Sequence, residues 1–245
     1  MTEHIIDINC DLGEGIGNDP LIMPFISSCS IACGGHFGNE DTIRTAIQLA
    51  KKYKVKVGAH PSFLDQENFG RKILKLKNNE LSEDIFQQIL FFQSICETED
   101  IKINHIKLHG ALYNLAAKDV PTADAVLEGI IQTNIQSELY VPYNSVLAKK
   151  AEKYFPLVYE AFIDRGYNND LSLVPRNQRR ALITSPEIAW QQFYNMVTKS
   201  ELTTISNKKR TIIASTFCIH GDNLSSVKIL HYIHSKMEIQ SISLV

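Results

Sequence analysis

Residues 106–114 read IKLHGALYN, an apolar run into which Lys107 and His109 are set two positions apart, just before a glycine. If the run is a β-strand, side chains alternate, so His105, Lys107 and His109 project to one side while Ile106 and Leu108 project to the other. The same division recurs along the chain. Asp7, Asn9 and Asp11 oppose Ile6, Ile8 and Cys10, and Lys56, Gly58 and His60 oppose Val55, Val57 and Ala59. Glu160, Phe162 and Asp164 oppose Tyr159, Ala161 and Ile163, and Ala214, Thr216, Cys218 and His220 oppose Ile213, Phe217 and Ile219. Strands with one oily side, and with titratable groups on the other at their C-terminal ends, suit a barrel. Its outer face packs on helices and its mouth carries the chemistry.

Seven such runs stand out, at 5–11, 29–36, 55–60, 105–110, 138–144, 157–164 and 211–220. Pro142 interrupts the ladder expected over 138–144. Amphipathic stretches separate the runs. Ile43, Ala46, Ile47 and Ala50 mark one buried helical face. Ser82, followed by Glu83 and Asp84, predicts a helix start that buries Ile85, Ile89 and Phe92. Ser185-Pro186-Glu187 predicts another start, and Val227, Leu230 and His234 mark the last helix. Strand–helix alternation predicts a parallel α/β architecture, either open or closed, and the polar inner side favours closure. With no linker or repeat in view, one domain spanning 1–245 is expected.

The composition excludes several classes. Of 245 residues, 44% are hydrophobic and 21% charged, and the net charge is -2, so neither nucleic acid nor an acidic membrane is an expected partner. The N-terminus lacks a basic-then-apolar signal pattern, and no apolar run is long enough to span a bilayer. The five cysteines include a lone C-x3-C pair, Cys29 and Cys33, which matches structural zinc poorly. They read as free thiols of a reducing cytosol, with Cys10, Cys33 and Cys218 as buried filler. Asp7 reads as structural, and His4, His231 and His234 as surface or packing residues.

A buried lysine must be paired, so Lys107 and His109 point to a shared pocket with carboxylates. His105 and His109 on one strand are about 13 Å apart, too far for one ion. Asp11, His36, His60, His109 and His220 are candidates for a divalent metal. The chain has no G-x-x-x-x-G-K-[ST] and no G-x-G-x-x-G opening a helix. The turn Gly34–Asn39 leads into a helix and offers backbone N–H groups to an anion.

The segments IDINCDLGEG (6–15), SIACGGHFGNEDT (30–42), VGAHPSFLDQENFGR (57–71), KLHGALYN (107–114), EAFIDRGYNNDLSLVPR (160–176) and CIHGDN (218–223), in this order, resemble the LamB/YcsF family of 5-oxoprolinase A subunits. The chain departs from the family pattern at Leu108, where proline is usual, and at Arg179-Arg180-Ala181, where Gly-Ala is common. The resemblance implies an irregular seven-stranded parallel β/α barrel similar to the glycoside hydrolase and deacetylase barrels. It also implies ATP-dependent opening of the 5-oxoproline lactam to L-glutamate, with Mg accompanying ATP, in a cytoplasmic complex with subunits B and C.

Such a reaction needs a base, a cationic clamp for developing charge and a binder for the substrate carboxylate. Asp11 or Glu14 is the candidate base or metal ligand. Lys107 and His109 are candidates to stabilise oxygen charge, His60 and His220 to relay protons, and Asp164 to orient one of these groups. Arg71, Arg165 and Arg176 offer planar forks for carboxylate or phosphate. Asn9, His36, Asn39, Tyr113, Glu160 and Asp222 complete the expected substrate contacts. Two rival readings are an autonomous metal-dependent amidohydrolase or deacetylase and a non-catalytic substrate-binding subunit.

Overall fold

A computed structural model describes residues 3–245. In chain order it runs β1 (His4–Leu12), α1 (Asp19–Ile22), β2 (Ser28–Ala32), α2 (Glu40–Tyr53), β3 (Lys56–His60), α3 (Asn78–Thr98), β4 (His105–Lys107), α4 (Gly110–Ala116), α5 (Val120–Gln132), β5 (Glu138–Pro142), α6 (Val146–Ala151), β6 (Leu157–Phe162), α7 (Pro186–Lys199), β7 (Glu201–Thr203), β8 (Lys209–Thr211), β9 (Thr216–His220), α8 (Ser226–Met237) and β10 (Ile242–Leu244). Strands β1 to β6 pair in sequence order, and β9 pairs with both β6 and β1. All seven pairings are parallel, so the ring closes as the sequence predicts.

Closure sorts the side chains as the alternation requires. Ile8, Ile31, Val57, Ile106, Val141, Ala161 and Phe217 face outward and are fully buried, together with Ile43, Ile47, Ile85, Ile89 and Phe92 of the helices. Each large apolar side chain so buried contributes about 1.5–3 kcal/mol. Among the helices, α3 and α5 approach closely at Gly129, where a Cβ would lie 2.4 Å from the Ser82 carbonyl oxygen.

Several element boundaries differ from the sequence reading, the strands of 138–144 and 157–164 ending at Pro142 and Phe162 among them. The helix expected to open at Ser82 opens at Asn78. The Glu80 carboxylate takes the Lys77 N–H at 2.9 Å, and Ser82 lies buried against α5 instead of capping. The run 29–36 ends as strand at Ala32, before Gly34 turns the chain at φ +100°. The run 105–110 ends as strand at Lys107, because His109 is already the residue before α4. The run 211–220 is split. Thr211 ends an antiparallel hairpin with β7, and the barrel strand starts at Thr216. Two strands, β7 and β10, have no counterpart in the sequence reading. β10 pairs with His4–Ile6 of β1, below the ring.

Candidate active site

Within the ring the lower polar layer is closed on itself. Asp7 accepts hydrogen bonds from the Ser27, Ser28 and Thr216 hydroxyls, the first two at 2.8 and 2.7 Å and the third at 2.5 Å. His105 stacks on Tyr140 at 3.9 Å and bonds Ser30 Oγ at 3.1 Å. Gly58 makes room for that ring, since a Cβ there would lie 2.3 Å from His105 Nε2. These residues hold the interior together, and none of them lines the cavity at the mouth.

One layer higher, Lys107 crosses the barrel. Its Nζ lies 2.8 Å from Asp11 Oδ1, 2.7 Å from Glu160 Oε1, 3.0 Å from Asn9 Oδ1 and 3.1 Å from Cys218 Sγ. Asn9 Nδ2 in turn donates to Glu160 and Thr216. Burial opposes the ammonium charge, but Asp11, Cys218 and Glu160 beside it hold its pKa well above the usual lysine value. Lys107 is therefore a fixed cation. Asp11 is buried, which alone would raise its pKa, yet His60 and Lys107 pull it well below the carboxylate range.

At the mouth, three histidines gather on Glu14. His36 Nε2 donates to Glu14 Oε1 at 2.9 Å, His109 Nδ1 lies 3.3 Å from the same oxygen, and His60 Nε2 lies 4.0 Å from it. His60 Nε2 is also 3.3 Å from Asp11 Oδ2. The His36 and His109 rings stack in parallel at 3.6 Å. Gly70, at φ +62°, bends its loop over this stack, and a Cβ there would come within 2.9 Å of the His109 ring and of His36 Cβ. Burial and the Asp11 charge push Glu14 up to about 7, and burial pushes His36 down to about 3. Burial and the neighbouring His36 and His60 also hold His109 well below the usual range.

On the far side, His220 Nδ1 donates to Asp164 Oδ1 at 2.8 Å. Burial pushes Asp164 up, but His220 and Asn223 outweigh it, and the carboxyl stays below its usual value. Asn223 Nδ2 donates to Asp164 Oδ2 at 3.0 Å. Asp222 is flanked by Arg71 and by Arg176, the latter with two bonds at 2.8 and 3.2 Å.

A cavity of about 740 Å³ opens over this layer. Asp11, Arg71, Lys107, His109, Tyr113, Glu160, Arg165, Arg176 and His220 line it. Glu14, His36 and His60 sit behind His109 and Asp11, while Asp164 and Asp222 stand behind His220 and the arginines. Asn9 lies below, holding Lys107 and Glu160. Of the expected contacts, Asn39 is committed elsewhere and Arg165, though on the cavity wall, is partly so. Asn39 caps α2, accepting from the Thr42 N–H at 3.0 Å. Arg165 donates to the Ala181 and Val174 carbonyls at 3.1 and 2.7 Å, so it fastens its own loop. The sequence reading missed Asn223, although it closes the CIHGDN segment. It also took Cys218 as filler where the structure sets it against Lys107. Among the described residues, two groups are close enough to share an ion, namely Glu14, His36, His60 and His109, and Asp11, Cys218 and His220. A second cavity of about 730 Å³ at the strand N-terminal ends is lined by Lys51, Lys54, Lys56 and Lys102 and holds none of the candidates.

A closed β/α barrel with a charged, buried layer opening at its C-terminal mouth is the architecture of barrel enzymes. The LamB/YcsF family pattern matches residues 6–245, and the chain belongs to that family. It is 37% identical over 246 residues to a 5-oxoprolinase A subunit of Bacillus cereus (strain 03BB102), covering 98% of this chain and 97% of the relative. Among solved structures, a lactam utilization protein from Thermus thermophilus superposes with a TM-score of 0.89 at 31% identity, covering 98% of each chain. A family 4 carbohydrate esterase from Streptomyces lividans shares the fold alone, with a TM-score of 0.51 at 8% identity over 98% of this chain and 91% of the esterase. No helix among the described residues is long and apolar enough to cross a membrane.

Proposed function

We propose that this chain takes part in 5-oxoproline utilization as a hydrolase component that opens the lactam to L-glutamate at the barrel mouth. The observation that carries the reading is Asp11 and Lys107 paired on the wall of the cavity, in a relative of proteins named as the A subunit of 5-oxoprolinase and as a lactam utilization protein. A lactam is a poor electrophile, and ATP consumption meets that difficulty. Transfer of the γ-phosphoryl group to the lactam oxygen releases ADP and leaves a carbon that water can attack. Collapse with cleavage of the C–N bond, and hydrolysis of the acyl phosphate by a second water, then give glutamate and phosphate.

In this scheme Lys107, held cationic by two carboxylates, stabilises charge on the oxygen. Asp11, fixed by Lys107 on one oxygen, orients the attacking water with the other. His220 is oriented by Asp164 through Nδ1, leaving Nε2 to carry the proton to the leaving nitrogen. Arg71 and Arg176, gathered by Asp222 at the cavity, hold the substrate carboxylate or a phosphate. ATP with Mg, and partner subunits B and C, belong to the proposal, and the partners are the expected source of the phosphate site.

The test is glutamate release from 5-oxoproline by this chain alone and with its candidate partners, with and without ATP. Turnover that needs ATP and the partners is expected. Absence of turnover in every mixture of folded, associated proteins would refute the reading.

A further inference from the structure

The histidines at the mouth have their protons placed by the backbone. His60 Nδ1 lies 2.8 Å from the Lys107 carbonyl oxygen, and His109 Nε2 lies 3.0 Å from the Phe69 carbonyl oxygen. A carbonyl only accepts, so each of those nitrogens carries the ring proton. In the neutral rings the remaining nitrogens, His60 Nε2 and His109 Nδ1, are then bare lone pairs. They face each other across 3.0 Å, in a place where both rings are buried. Two acceptors at that distance repel unless something positive lies between them. Carboxyl oxygens, themselves acceptors, stand close by: Glu14 Oε1 is 3.3 Å from His109 Nδ1 and 4.0 Å from His60 Nε2, and Asp11 Oδ2 is 3.3 Å from His60 Nε2.

We propose that Glu14, His60 and His109 bind one divalent transition-metal ion of the zinc class, with Asp11 beside it. Bonds of about 2.0–2.1 Å in a tetrahedral site set the donor atoms roughly 3.3 Å apart, which the observed separations bracket. Two imidazoles and a carboxylate suit zinc or cobalt better than calcium or magnesium. His36 is excluded as a ligand by its geometry. Its Nε2–H is given to Glu14, and its ring lies parallel to that of His109 at 3.6 Å, so no ion can sit in both ring planes. His36 is a positioning residue that fixes the Glu14 carboxylate, as partners of metal ligands commonly do.

The inference stands apart from the lactam reading, because its test reads metal and not turnover. The untagged full-length chain is analysed for metal content as purified, stripped with EDTA, and titrated with Zn²⁺ by calorimetry and with Co²⁺ by visible absorption. One equivalent per chain is expected. His109→Ala should weaken binding by more than about 100-fold and change the cobalt spectrum. His36→Gln should weaken it by about 10–100-fold with the spectrum kept, because the ligands are unchanged. Cooperative melting checks that each variant is folded, and Glu14→Gln replaces His109→Ala if the latter does not fold. Absence of saturable binding by the folded, stripped chain would overturn the proposal in favour of a shared proton between the two rings. Binding unaltered by both His109→Ala and Glu14→Gln would overturn it too, since the ion would then lie elsewhere.

Discussion

The barrel holds two polar layers, one above the other. The lower one, built on Asp7 and His105, satisfies its groups internally: three hydroxyls reach Asp7, and His105 is stacked, hydrogen-bonded and fitted against Gly58. The upper one, built on Asp11, Lys107, Glu14 and three histidines, concentrates charge and leaves lone pairs opposed. Its Asp11, Lys107 and His109 also line a 740 Å³ cavity. The strand residues of both layers come from the same period-two alternation, while Glu14, His36 and His109 follow the strand ends. Polarity inside a barrel therefore does not mark a site; surplus charge that meets open volume does.

The comparison breaks most sharply at Lys107. Lys107→Met leaves Asp11 and Glu160 buried without their cation, which costs about 3–5 kcal/mol. Thermal unfolding should show the loss, and lactam-opening activity should fall at least about 100-fold in whatever remains folded. A variant of wild-type stability would mean that the upper layer is solvated and not held by this pair.

In the lower layer the expected effect is on stability alone. Gly58→Ala pushes a methyl group into the His105 ring and should destabilise the fold by about 1–3 kcal/mol, measured by denaturant unfolding. Turnover per folded molecule should stay near wild type, and a large loss of turnover would erase the distinction between the layers. The smallest effect is expected at Asn39, outside both. Asn39→Ala removes the α2 cap and should cost about 1 kcal/mol. The KM for substrate should not change, whereas a raised KM would return Asn39 to the site.

The two layers also explain what could be read from the letters. Strand alternation, the seven-strand count and the convergence of Asp11, Lys107, His60, His109 and His220 depend on local order, which a single sequence displays. Which partner a side chain takes depends on residues far along the chain. Arg165 resembles a carboxylate fork in isolation, yet two carbonyls of its own loop claim it. The Gly34–Asn39 turn resembles an anion cradle, yet Asn39 turns to the Thr42 N–H. Asn223 has no signature of its own and gains meaning only when Asp164, 59 positions earlier, is folded against it. The β10 strand, three residues long, is too short to carry a periodicity.

The central claim is that Asp11, on the cavity wall beside Lys107, does chemistry and not merely packing. The most direct measurement is glutamate release by the reconstituted complex carrying Asp11→Asn, with the variant's fold verified by its melting transition. A loss of about 10²–10⁴ in turnover is predicted for a group that handles the reacting water. A folded variant that loses less than about tenfold would contradict the claim and reduce the upper layer to a second structural one.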